Sequence, residues 1–98
     1  MMSIGAKGVV SVVSNLLPRR TARLCAAALK GDFKTARALH LELFPLVKAL
    51  FAETNPIPVK AAAGIMGLCS DELRLPLTPA AAETRARLKA ELRRFPRA

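Results

Sequence analysis

The chain has 98 residues, of which 52% are apolar and 23% charged, and its formal net charge is +9. That balance is globular rather than disordered, and the length limits the chain to one small domain. Four Phe with no Trp or Tyr leave the core to be built from Leu, Val, Ile and Ala.

A strand is predicted over Gly8–Val13. Val9, Val10, Val12 and Val13 are β-branched, and only Ser11 interrupts them. Apolar residues on both faces suit a strand buried on both sides, as in a parallel sheet. Ser14 and Asn15 then supply turn chemistry. The first helix starts at Pro18, because proline lacks only an N–H that would be unpaired there anyway. It runs to Lys30 with Leu24, Cys25, Ala28 and Leu29 on one face, and Gly31 stops it. Asp32 is an N-cap for a second helix. Ala36, Leu39, Leu43, Leu46, Val47 and Leu50 recur at steps of three and four, so this helix is amphipathic. Pro45 falls inside it and is expected to kink it rather than end it, since the apolar period continues to Phe51.

Asn55-Pro56-Ile57-Pro58 breaks the pattern, as residues before proline are pushed out of the helical region. A short helix over Val59–Met66 follows, with Gly67 as its stop. Ser70 to Leu77 is a loop. Thr78 is the expected cap and Pro79 the first residue of a last helix that ends near Arg94, before Pro96. The fold class is therefore mainly α, one strand followed by about four helices. That strand has no partner inside the chain, so its backbone groups stay open and its sheet must be completed from outside.

A basic balance can indicate nucleic acid or anionic lipid. Here Arg19, Arg20 and Arg23 lie early and Arg85, Arg87, Lys89, Arg93, Arg94 and Arg97 lie late, the latter interrupted by Glu91. The pattern reads as a solvated surface, and neither nucleic acid nor membrane is expected as a partner. The longest early apolar stretch, Val9 to Leu17, is broken by Ser11, Ser14 and Asn15 and is too short to span a bilayer. Cys25 and Cys69 lie far apart without a Cys-x-x-Cys, and His40 stands alone, so no metal or other cofactor is expected. Buried, reduced thiols in a cytoplasmic protein are the expectation.

Three segments carry a resemblance: Gly5-Ala-Lys-Gly-Val-Val-Ser-Val12 with Ser14-Asn15, then Asn55-Pro-Ile-Pro-Val-Lys60, then Arg74-Leu-Pro-Leu-Thr-Pro79. In this order, with Gly31-Asp32-Phe33 and Leu43-Phe44-Pro45-Leu46 between, the chain resembles the C-terminal portion of the dihydrodipicolinate synthase family from about Ser3 to Arg94. The Asn-Pro-Ile-Pro-Val-Lys run is the most specific of these; a Gly-x-x-Gly before a strand is weak alone. The resemblance implies that residues 1–31 are the last strand and helix of a truncated (β/α)8 barrel, a fold that needs about 250 residues. Residues 32–98 would be the C-terminal helical domain. Met1-Met2 would then be an internal start or a fragment boundary.

The family's members are lyases that condense pyruvate with aspartate semialdehyde in lysine biosynthesis. They use a Schiff-base lysine on an earlier strand and a proton relay of tyrosine and threonine hydroxyls, commonly in tetramers. This chain has no Tyr, and the lysine-bearing strand is not in it. No catalytic residue is therefore expected here. The chain should need the missing N-terminal barrel part as partner, fold poorly without it, and be inactive alone.

Val10 is the one position with a ligand role by resemblance, offering its backbone carbonyl to pyruvate. Lys7 precedes the strand, whereas barrel active sites lie at the C-terminal ends of strands. Lys60 follows two prolines and reads as structural, as do Gly5 and Gly8, Asn55, Pro56 and Pro58, while His40 reads as a helix-surface or boundary residue. The alternatives are a helical interaction module derived from that enzyme, another pyruvate-dependent aldolase of the superfamily, and, more weakly, a basic nucleic-acid binder.

Overall fold

Glycine, proline and aspartate set the ends of the helices. The computed structural model describes residues 1–96. It contains two short 3-10 turns, Met2–Ile4 and Val13–Asn15, and four helices: α1 (Pro18–Leu29), α2 (Phe33–Leu50), α3 (Ile57–Ile65) and α4 (Ala82–Leu92).

Helices α1 and α3 end in the same way. The backbone enters the left-handed region at Gly31 (φ 80°) and Gly67 (φ 75°), where a side chain would be strained. After α1, the N–H of Asp32 donates to Ala27 at 2.9 Å and that of Gly31 to Ala28 at 3.0 Å. After α3, Leu68 donates to Ala63 at 2.9 Å and Gly67 to Gly64 at 3.0 Å. Both are Schellman endings, which pair carbonyls that a helix end otherwise leaves open. Asp32 caps α2 by accepting from the Thr35 N–H at 3.1 Å. Pro45 lies within α2, and the helix runs on through it to Leu50.

Helix α1 packs on α2, and both α2 and α3 pack on α4. The buried cluster joins Leu43, Leu46, Ala49 and Leu50 of α2 to Ala61 and Ala62 of α3 and to Leu88 and Leu92 of α4. Leu16 and Leu17, just before α1, and Phe95, just after α4, complete it. Each fully buried leucine contributes about 1.5–3 kcal/mol of transfer free energy. Phe95 is held at the edge by Arg20, whose guanidinium lies 4.8 Å from the ring centroid and also pairs with Glu42 of α2.

Three expectations are corrected. No strand forms among the described residues: Gly8–Val12 is irregular and Val13 begins a 3-10 turn. A strand exists by virtue of its ladder, and among the described residues no segment pairs with this one. The thiols are free but not buried, Cys25 being half-buried and Cys69 exposed. Burial follows from what packs alongside, and the described residues cover Cys25 only in part and leave Cys69 open. On α1 the buried residues are Thr21 and Ala27, while Leu24, Cys25 and Ala28 are half-buried and Leu29 is 57% exposed. The face named from the sequence is thus only partly covered.

The last correction concerns α4. Thr78 is not its cap: the helix begins at Ala82 behind Ala81, and no side chain at that cap position bonds the backbone. Instead the Ala81 N–H donates to Glu53 Oε2 at 3.0 Å, a bond that spans 28 positions.

Candidate functional site

The segment before the Val13–Asn15 turn is where the resemblance implies a ligand contact. Ser11, Ser14 and Asn15 fix its exit. The Ser14 N–H donates to Ser11 Oγ at 3.1 Å, and the Ser14 hydroxyl donates to the Ser11 carbonyl at 2.9 Å. Asn15 Nδ2 donates to the Val12 carbonyl at 3.0 Å. Upstream, the segment is unpaired: among the described residues no N–H from Lys7 to Val12 donates to a backbone carbonyl.

Val10 stands fully exposed, and Val9 is 61% exposed. Both border an apolar groove of about 980 Å³, walled by Leu24, Cys25 and Ala28 of α1 and by Phe33 of α2. They also border a cavity of about 240 Å³ that reaches Leu43 and Val47. Val10 therefore lies on an open lip between two hollows rather than in a closed pocket.

Lys7 and Lys60 line neither hollow. Lys7 is exposed, and Lys60 is half-buried on α3. Two residues that the sequence reading gave no part do reach the site. His40 borders both hollows and Arg37 the larger one. The signal was their three-residue spacing on the polar edge of α2, next to the apolar stripe through Ala36 and Leu39. His40 is exposed, as expected, with its ring tilted at 5.5 Å from that of Phe44.

One titrating group is displaced. The carboxyl of Asp32 is lowered from 3.8 by its bonds from Thr35, with Lys30 adding attraction. It serves α2 and borders neither hollow. Among the described residues no group of three side chains could hold a metal ion. No helix there is long and apolar enough to cross a membrane.

An open apolar lip bordered by no lysine or carboxylate is part of a site rather than a whole one. Residues 1–95 match the profile of the Dihydrodipicolinate synthetase family. The chain belongs to that family. A 4-hydroxy-tetrahydrodipicolinate synthase from Methanosarcina mazei is 52% identical over 97% of this chain, but over only 33% of its own length. The chain thus spans about a third of the curated relatives it matches, as a C-terminal portion does.

Solved structures give the same proportion. Dihydrodipicolinate synthase from Aquifex aeolicus superposes with a TM-score of 0.93 and 48% identity, covering 97% of this chain and 32% of that one. The chloride-inhibited dihydrodipicolinate synthase from Acinetobacter baumannii, complexed with pyruvate, gives a TM-score of 0.91 and 41% identity. It covers 95% of this chain and 32% of that one.

Proposed function

We propose that this chain is the C-terminal third of a lyase that condenses pyruvate with aspartate semialdehyde on the route to lysine. Residues 1–31 supply the last strand and helix of a (β/α)8 barrel, and residues 32–98 form the helical domain that follows. The observation that carries the reading is the family match over residues 1–95, with the close superposition on the Aquifex aeolicus enzyme.

In that setting Gly8–Val13 becomes a strand once neighbours complete its ladder. The backbone carbonyl of Val10 then lines the bound keto acid. That contact does not depend on the side chain, so valine serves as well as another apolar residue. A lysine outside this chain attacks the ketone of pyruvate and expels water to form the Schiff base. Hydroxyls outside the chain move the protons, since it has no Tyr. The chain alone has no turnover. The assembled enzyme is cytoplasmic and forms a homo-oligomer, a tetramer.

The test is intact mass after incubation with pyruvate and borohydride, which reduces a Schiff base to a stable adduct. The chain alone gives no adduct. The chain fused to the N-terminal two thirds of the Aquifex aeolicus enzyme gives one adduct per molecule. An adduct on the chain alone, or none on the fusion, overturns the proposal.

A further inference from the structure

The cations at the end of the chain are not alike in what answers them. Arg85 pairs with Asp71 at 2.7 Å and Arg94 with Glu91 at 3.1 Å. Lys89 and Arg93 make no ion pair among the described residues. They stand four positions apart at the end of α4, so they share a face, and both are exposed.

Beside them, toward the end of α3, lies a hollow of about 550 Å³. Its lining is otherwise apolar. Leu92 is buried, Ile65 and Met66 are half-buried against the core, and Leu68 is 59% exposed. Phe95, whose ring Arg20 holds, adds an aromatic wall. Among the described residues no carboxylate lines this hollow. The neighbouring hollow shares Ile65 and Lys89 but contains Asp71, which already answers Arg85.

We infer that the hollow between α3 and α4 binds a free amphiphilic anion, a small molecule with an apolar body and one carboxylate head. The body lies against Ile65, Met66, Leu68 and Leu92, and the head sits between Lys89 and Arg93. Like charges one helical turn apart repel, and an anion between them turns both into attractions. Arg93 offers a planar fork that matches a carboxylate, and Lys89 a compact charge with three donors. Covering the exposed Leu68 supplies the apolar driving force, and the flexible thioether of Met66 adapts to the shape of the body. The volume falls within the range of small-molecule sites, about 300–1,000 Å³.

Charge complementarity selects this occupant. A second copy of the chain carries the same +9 and is repelled. A neutral apolar molecule leaves both cations unanswered. Positive charge is favoured near a helix C-terminus, which accounts for a cation there but not for an apolar hollow beside it. The inference uses only α3, α4 and the residues that follow them, so it stands or falls apart from the lyase reading.

The chain carries three methionines, which serve as reporters. Met66 lines this hollow, whereas Met1 and Met2 line the groove beside the valine segment. The full chain, isotope-labelled at its methionine methyl groups, is titrated with octanoate and followed by NMR. The Met66 methyl signal should shift saturably. Lys89→Gln together with Arg93→Gln should weaken binding about five-fold while the helical circular dichroism stays unchanged. Lys89→Arg should keep the affinity, and high salt should lower it. Octanol and octyltrimethylammonium should move Met66 far less at equal concentration.

A response confined to Met1 and Met2 overturns the inference, as does unchanged affinity in the double variant. Equal responses to octanoate and octyltrimethylammonium on the parent chain also overturn it, and this comparison decides the matter if the double variant loses its helices. A Met66 signal that depends on chain concentration without ligand gives the hollow to a second copy. A shift with anionic phospholipid vesicles but not with octanoate gives it to a membrane surface. A parent chain without helical signal presents no such hollow and overturns the inference as well.

Discussion

The side of the molecule around α2, α3 and α4 and the side around the valine segment and α1 are built from the same kinds of residues. On the first, every leucine of the cluster finds neighbours within the chain, and Leu46, Leu50 and Leu88 are 0% exposed. On the second, Val9, Val10 and Leu29 face outward, and the half-buried Leu24, Cys25 and Ala28 only wall a groove. Hydrophobicity proposes burial, but the available neighbours decide it. A helix closes its own hydrogen bonds and needs company only along one stripe, whereas a strand needs company for its backbone as well.

That contrast can be broken at its closed end first. Leu46→Ala removes a fully buried side chain and should cost about 2–5 kcal/mol, read from urea unfolding followed by circular dichroism. A loss no larger than that of an exposed substitution, about 0.5 kcal/mol, would mean the closed side is not the seat of stability.

A smaller effect is expected at the seam between the two sides. Arg20→Ala deletes both the stacking on Phe95 and the pairing with Glu42. The guanidinium is partly solvated, so the loss should be about 1 kcal/mol by thermal melting, with the ion-pair share shrinking in high salt. Arg20→Lys should fall between the two, because an ammonium keeps the charge but not the planar face.

The smallest effect sharpens the comparison by pH. Asp32 has a carboxyl lowered from 3.8 by the Thr35 bonds. Its ionised form is therefore favoured by folding. The contribution is fully present above about pH 4 and is lost as pH falls through the lower folded value. Asp32→Asn keeps a cap without a charge. Its melting temperature should lie slightly below that of the parent chain near neutral pH, and the gap should close in acid. A gap that does not change with pH would show that the cap acts through geometry alone.

Much of the helical body was legible because its signals are local. Gly31 and Gly67 end their helices by a backbone conformation that glycine alone takes easily, and Asp32 reaches a donor three residues away. The α2 stripe was legible for the same reason, as were the turn contacts of Ser14 and Asn15. Thr78 misled because a threonine before a proline is a good local cap, whereas the observed acceptor is Glu53 in the turn after α2. No window on the sequence contains both partners.

The strand over Gly8–Val13 misled in another way. Its residues state a preference that only a sheet can satisfy, and the described residues contain no sheet. The sequence already carried that conflict, in a two-face-apolar run with nothing to pair with. For Val10 the sequence offered only a resemblance, and the structure adds the lip on which it stands, with His40 and Arg37 at its border. The thiols show the same dependence on context, since cysteine's usual burial gives way where no element crosses over it.

Phe95 has one more consequence. It is 4% exposed, wedged under cations from both ends of the chain, Arg20 at 4.8 Å and Arg94 at 5.7 Å from its ring centroid. The molecule is fastened like a belt, with the buckle on the first helix and the tongue just past the last. An exopeptidase trimming inward from the tail would loosen α1, some seventy positions away in sequence, as soon as it took that ring.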